Sequence, residues 1–127
     1  MKRTILVFMV CTFQICYGQD KDRKVIFELK TKCMELARDY CREASSGGSF
    51  YDVKHNRCFA ICTRIGSGFI STSLDDVHTG MNLAISYFGT VDSTGTKIDS
   101  WGVIRDEMTT YDKAMKYIKK MTTEPDN

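Results

Sequence analysis

Apolar residues recur at intervals of three and four between residues 24 and 42, which is the spacing of one face of a helix. The members of this stripe are Ile26, Leu29, Cys33, Leu36, Ala37, Tyr40 and Cys41. An apolar stripe of this kind is stable only when another element covers it. The pattern therefore predicts an amphipathic helix over 24–42 that packs on a sheet.

Extended segments are predicted after this helix. Residues 44–49 contain Ser-Ser-Gly-Gly-Ser, a loop signal, and residues 50–53 form a short candidate strand. A second strand is predicted over 57–65, where Cys, Phe and Ile are frequent. Extended structure resumes over 69–71 after two glycines.

A second helix is predicted over 73–88. Ser73 is a candidate N-cap, and Asp75 and Asp76 would fall in the first turn, where carboxylates suit the helix dipole. Gly89 would end this helix. Its apolar stripe comprises Leu74, Val77, Met81, Ala84, Ile85 and Phe88.

The remaining elements are a polar loop over 90–99, a strand over 101–105 and a last helix over 109–121. The resulting order is helix, strand, strand, helix, strand, helix. Such an order predicts an α+β fold.

The first eighteen residues resemble an export signal. Lys2 and Arg3 form the charged start, an apolar run covers 5–13, and small residues precede position 19. We therefore predict a signal peptide over 1–18, and a secreted, extracellular chain whose residues 19–127 form a single small α+β domain.

Removal of this signal would change the charge of the chain. The signal carries two of the 18 basic residues and none of the 16 acidic ones, so the remainder would be neutral. Neutrality gives no electrostatic reason to expect nucleic acid or an anionic membrane as a partner. No later stretch approaches the roughly 20 apolar residues of a membrane span.

Four cysteines follow the predicted signal, at Cys33, Cys41, Cys58 and Cys62. An even number in a small secreted chain predicts two disulfides, and the spacings lack the short paired knuckles of a structural zinc site. Three pairings are open. On a helix, Cys33 and Cys41 would be about 12 Å apart, and on a strand Cys58 and Cys62 would be about 13 Å apart. A helix antiparallel to that strand would join Cys41 to Cys58 and Cys33 to Cys62, which is our preferred pairing.

Other candidate ligands are few. His55 and His78 lack the neighbours of metal ligands and are interpreted as surface residues, so no metal site is predicted. The last predicted helix carries a basic face that we interpret as solvated. Its members are Lys113, Lys116, Lys119 and Lys120.

Several blocks of the chain follow an order known from one toxin family. They are Phe-Tyr-Asp at 50–52, Cys58, Gly-Phe-Ile-Ser-Thr-Ser at 68–73 and Trp-Gly-Val-Ile-Arg-Asp at 101–106. Over roughly residues 25–121 this order resembles the amino-terminal half of the pertussis-toxin and heat-labile-enterotoxin type of ADP-ribosyltransferase. The resemblance implies part of that family's split sheet, with flanking helices, and NAD as the cofactor.

The resemblance also assigns roles to the hydroxyl triplet, which is Ser71, Thr72 and Ser73. Ser71 would position NAD and the catalytic glutamate, and its two neighbours would support the strand and the next helix. Glu107 and Glu124 are the only late glutamates, and neither lies in a Glu-X-Glu or Gln-X-Glu setting. The resemblance therefore implies a truncated or degenerate, toxin-like NAD-binding domain, with no catalytic residue assigned, or a transferase whose site a partner chain completes. The alternative is that the triplet is an ordinary strand end and N-cap.

Two other classes compete with this interpretation. Residues 50–58 resemble the central hairpin of Kunitz-type protease inhibitors, which implies that Arg42 enters the specificity pocket of a trypsin-like protease. The third class is a non-enzymatic secreted effector that binds a target protein through exposed aromatic residues, for which Tyr40, Tyr51 and Tyr87 are candidates.

Overall fold

The computed structural model describes residues 22–89, 94–95 and 100–123. The chain divides into two compact units, Met1–Lys32 and Cys33–Asn127. Helix α1 covers residues 22–40, which confirms the first predicted helix, and the described part of the first unit is entirely helical. The predicted signal peptide over 1–18 lies outside the described residues.

The second unit contains a six-stranded antiparallel sheet in which each strand pairs with its neighbours in the chain. The strands are β1 (Ser46–Asp52), β2 (Arg57–Gly66), β3 (Phe69–Asp76), β4 (Asn82–Gly89), β5 (Trp101–Ile104) and β6 (Glu107–Thr109). Helix α2 (Tyr111–Thr122) follows the last strand. The predicted α+β class is confirmed, and the six described strands form one continuous sheet.

The predicted helix over 73–88 is wrong, because this segment contains the end of β3, a turn and all but the last residue of β4. The apolar spacing of three and four there also fits two strands. Asp76 does not lie in a helical first turn, and its Oδ1 accepts hydrogen bonds from the N–H groups of His78 (2.9 Å) and Thr79 (3.1 Å). Gly80 has a φ of 68°, which favours glycine, and completes the turn.

The two faces of the sheet carry separate apolar clusters. On one face, α2 contributes Ile118 and Met115 to the larger cluster, which includes the buried residues Phe59, Leu74 and Ala84. Thr110 caps this helix, and its side chain accepts a hydrogen bond from the N–H of Lys113 (3.4 Å). The smaller cluster lies on the opposite face, which we call the α1 face, and its buried members are Ala37, Cys41, Ala60 and Cys62.

The four predicted cysteines form two disulfides, as expected, but the preferred pairing is wrong. Cys33 is bonded to Cys58 and Cys41 to Cys62, with Cα–Cα distances of 5.4 and 5.3 Å. From residue 33 onward the helix therefore runs parallel to β2 and not antiparallel to it. The matched spacing of the two cysteine pairs is satisfied by either direction, so it could not determine which one the chain adopts.

No helix among the described residues is both long enough and apolar enough to cross a membrane.

Candidate functional site

The hydroxyl triplet lies within β3, and its members alternate between the two faces of the sheet. Ser73 pairs with Cys62, whose disulfide leads to the end of α1, so Ser73 and Ser71 lie on the α1 face. Thr72 lies on the α2 face, where its hydroxyl shares a hydrogen bond with that of Thr63 (3.2 Å). The three hydroxyls therefore do not line the floor of one crevice, and Ser73 is not a helix N-cap.

Ser73 is already engaged by a buried carboxylate. Its hydroxyl donates to Oδ2 of Asp75 (2.7 Å), and the side-chain amide of Asn82 donates to Oδ1 of the same carboxylate (2.8 Å). Partial burial, and after it the negative charge of Asp75, raises the pKa of Tyr40 above its ordinary value. Of the two serines of the triplet, only Ser71 has a hydroxyl without a hydrogen-bond partner among the described residues.

Three aromatic rings form a stack on the α1 face. Tyr87 lies between Phe69 and Trp101, with ring centroids 5.6 and 5.0 Å away and interplanar angles of 16° and 11°. Both faces of the Tyr87 ring are therefore covered by its neighbours. Because Phe69 and Trp101 stack on Tyr87, this ring has no free face on which a base, a sugar or a nicotinamide ring could stack.

A row of exposed apolar residues lies on the α2 face. Ile65 pairs with Ile70, and Ile70 pairs with Phe88, so the three side chains are neighbours across β2, β3 and β4. Their exposed fractions are 62% for Ile65 and 42% for each of the other two. We call these three residues the apolar row. The ring of Tyr111, at the start of α2, lies 5.6 Å from that of Phe88 and extends it.

The apolar row was not predicted from the sequence. Its first two members could have been found, because Ser67 and Gly68 form a tight turn that places Ile65 opposite Ile70. Phe88 could not be added while residues 73–88 were interpreted as a helix. The tyrosines proposed as interface residues lie outside the apolar row. Tyr87 is in the stack, the Tyr51 hydroxyl is hydrogen-bonded to the side chain of Asn56, and Tyr40, at the end of α1, is 40% exposed.

Arg42 lies in a turn directly after α1, beside the first residues of the edge strand β1. Its guanidinium forms a surface ion pair with Asp39 (3.3 Å). The eight residues 33–40 that precede this turn are helical. A protease-binding loop must instead be extended, so the conformation around Arg42 gives the Kunitz interpretation no support.

The β1–β2 hairpin carries a carboxylate–imidazole pair that sequence reasoning did not anticipate. Oδ2 of Asp52 lies 2.6 Å from Nδ1 of His55, and Oδ1 accepts the backbone N–H groups of Lys54 (3.1 Å) and His55 (3.3 Å). Burial alone would raise the pKa of Asp52, but these hydrogen bonds and the charge of His55 outweigh it and hold the pKa below its ordinary value of 3.8.

Protonation of Asp52 is therefore expected to destabilise the hairpin. Because its pKa is lowered in the folded state, the stabilisation is present above the unfolded pKa and is lost as the pH falls through the folded one. Carbon-detected NMR titration of the carboxyl group should give a pKa below 3.8, which His55→Ala raises and His78→Ala leaves unchanged. An unchanged Asp52 pKa in His55→Ala would contradict the assignment.

No protein-family model, no curated protein and no solved structure matches this chain. The comparisons therefore support neither the ADP-ribosyltransferase nor the Kunitz resemblance.

Proposed function

We propose that this protein is a secreted, disulfide-stabilised binding protein that docks a target protein on the apolar row. The observation that carries the proposal is the exposure of Ile65, Ile70 and Phe88 on three neighbouring strands. Contiguous apolar surface of this kind commonly marks a protein interface, whereas single exposed apolar residues do not.

The free energy that a partner could gain by burying exposed apolar side chains is larger at the apolar row than at the aromatic stack. Full burial of one such aliphatic or aromatic side chain contributes about 1.5–3 kcal/mol, so a partner that covers the row would gain several kcal/mol. The stacked rings of Phe69, Tyr87 and Trp101 are each only partly exposed and already pack on one another. They have less to gain from a partner.

Secretion is supported by the two disulfides, which persist in oxidising compartments and are common in small extracellular proteins. The predicted signal peptide would direct the chain to the same oxidising, extracellular environment. The target is therefore expected to be an extracellular protein with an exposed apolar patch of its own.

A charge in the apolar row is expected to abolish binding without unfolding the protein. Ile65→Glu places an unpaired carboxylate in the interface and should weaken target binding by more than about tenfold, because a buried, uncompensated charge costs several kcal/mol. Since Ile65 is 62% exposed, the free energy of unfolding should change by less than about 0.5 kcal/mol.

Binding would be measured by interferometry against the protein that the immobilised chain retains from extracellular fluid. The matched control is Val53→Glu, which introduces the same charge at a residue that is 49% exposed in the β1–β2 turn. The proposal predicts loss of binding in the first variant alone. Equal affinities of Ile65→Glu and wild type would overturn it.

A second candidate function is NAD binding on the α1 face, the role that the ADP-ribosyltransferase resemblance implies for the hydroxyl triplet. It is favoured by one observation: the hydroxyl of Ser71, which lies directly across from Tyr87, has no hydrogen-bond partner within the part of the chain that the structure describes. This candidate also implies a split sheet, transferase activity and a partner chain that supplies the glutamate. Each of these further proposals requires that the protein binds NAD.

Calorimetric titration with NAD tests this candidate directly. If Ser71 holds the cofactor, Ser71→Ala should weaken binding by about tenfold, the usual effect of removing one polar contact to a charged ligand. Thr72→Ala is the matched control because Thr72 lies on the opposite face. Absence of binding heat with the wild-type protein would eliminate the candidate.

A further inference from the structure

A basic pocket lies on the α2 face, at the end of the sheet opposite the apolar row. It has a volume of about 520 Å³ and is bordered by the β1–β2 hairpin, the β5–β6 turn and the last turn of α2. Its apolar lining is formed by Phe50, Phe59 and Met121, and its cationic lining by Arg57, Arg105 and Lys120. Pockets that hold small ligands fall in this size range and combine apolar walls with a few polar groups.

The three cations of the pocket form no ion pair with any described residue. Within the described part of the chain, none of Arg57, Arg105 and Lys120 has a carboxylate within 4.0 Å. The one carboxylate in the described lining, Asp52, is engaged by His55 and by two backbone N–H groups. The oxygens of Asp52 therefore accept most of their hydrogen bonds from within the hairpin. The described lining contains three cations and this one carboxylate. The described lining of the pocket therefore carries a net positive charge.

The backbone holds these cations on three separate elements. Arg105 and Asp106 have φ values of 47° and 66°, so they form the tight β5–β6 turn, and the N–H of Arg105 is hydrogen-bonded to the carbonyl of Leu83 (3.0 Å). Arg57 begins β2, directly across from Asp52. Two arginines can each offer a planar fork of donors to an oxyanion.

One feature opposes an anion here, since the carboxyl end of α2 carries a partial negative charge. That charge is roughly half an elementary charge and is confined to the last turn. Lys119 and Lys120 lie in the same turn and offset it. The three cations of the pocket therefore dominate its electrostatic potential.

We infer that this pocket binds a small organic anion, a phosphate or sulfate ester whose apolar part rests on the partly exposed side chains of Phe50 and Met121. The oxyanion is bound by Arg57 and Arg105, and Lys120 adds a third charge from α2. The apolar floor selects an ester over a free inorganic ion, because only the ester can bury apolar surface there. Phosphate and sulfate share the tetrahedral oxyanion that the arginines recognise.

Phenyl phosphate and phenyl sulfate are the probes for this pocket, and NMR titration of the full chain follows their binding. Both esters should shift the signals of the pocket residues, with affinities that fall as salt is added. Inorganic phosphate, which lacks the ring, should bind at least about tenfold more weakly, and benzyl alcohol, which lacks the charge, should not bind.

Two lysines on one helix provide the matched variants. Lys120→Gln removes a pocket cation and should weaken phenyl phosphate binding by about fivefold or more, whereas Lys119→Gln removes a neighbouring charge that does not line the pocket. Arg57→Gln should have a larger effect, about tenfold or more, because it removes a fork of donors. No binding of phenyl phosphate at millimolar concentration, equal affinity for inorganic phosphate, or equal effects of the two lysine variants would each overturn the inference.

Discussion

The double variant Cys41→Ala/Cys62→Ala is expected to lose about 2–5 kcal/mol of unfolding free energy, the usual cost of removing a disulfide from a small domain. Both cysteines are buried, with exposed fractions of 6% and 1%, and they pack with Ala37 and Ala60 in the cluster that attaches α1 to the sheet. The loss combines a less restricted unfolded chain with a cavity in this cluster. Urea unfolding measured by circular dichroism gives the difference.

The companion variant Cys33→Ala/Cys58→Ala tests whether the length of the closed loop determines how much each disulfide contributes to the free energy of unfolding. The two disulfides have sequence separations of 25 and 21, so chain entropy alone predicts losses that differ by less than about 0.2 kcal/mol. Peptide mapping of the unreduced protein should recover Cys33 joined to Cys58. A peptide joining Cys33 to Cys62 would contradict the parallel arrangement of residues 33–40 and β2. A loss below about 1 kcal/mol in both double variants would contradict the expected stabilisation by the disulfides.

Gly102→Ala is expected to destabilise the protein by about 1–3 kcal/mol or more, because it overpacks the contact between β5 and α2. A Cβ at Gly102 would lie 2.5 Å from Cβ of Ala114 and 2.6 Å from the carbonyl oxygen of Thr110. Neither atom belongs to a flexible side chain that could move aside. The amino-terminal turn of α2 would have to shift away from the sheet.

Gly48→Ala is the matched control for this prediction. A Cβ there would meet only Cδ1 and Cβ of Ile61, at 3.8 and 3.9 Å, which are ordinary packing distances. Its unfolding free energy should therefore stay within about 0.5 kcal/mol of wild type. If the two alanine variants had the same stability in urea, the close packing of α2 on β5 would be wrong.

The sequence was sufficient for elements whose local pattern agrees with their tertiary role. The stripe that includes Leu36 and Ala37 marks α1, and the last helix, predicted over 109–121, is α2 (Tyr111–Thr122). The members of each pattern that pack on the sheet are Ala37 and Cys41 at the end of the first helix, and Met115 and Ile118 in α2. Residues 57–65 likewise combine buried apolar positions with strand-forming residues, and β2 covers this segment.

Residues 73–88 could not be assigned from local pattern because helix and hairpin explain the same spacing. Leu74 and Ala84 would share one face of a helix, and in the structure they are cross-strand partners on one face of the sheet. The hairpin is favoured by contacts distant in sequence, such as the pairing of Ser86 with Gly102. The direction of α1 along β2 is also a tertiary property, and cysteine spacing leaves it undetermined.

The candidate surfaces were predictable only in part for the same reason. The hydroxyl triplet was correctly placed in extended structure at Ser71, but strand alternation separates Thr72 from the two serines. The apolar row needs the register of three strands, and the basic pocket needs a hairpin, a turn and a helix end together. Each depends on the sheet order, which the predicted second helix had interrupted.

The most direct test of the proposed function is site-specific photo-crosslinking from two adjacent aromatic positions of β4. Phe88 lies in the apolar row, and Tyr87 lies on the opposite face in the stack. A photoreactive phenylalanine analogue would replace one residue at a time, and the protein would be irradiated in extracellular fluid. We expect one discrete adduct with a target protein from position 88 and none from position 87. Adducts from position 87 alone, equal adducts from both positions, or no adduct from position 88 would contradict a target-binding surface at the apolar row.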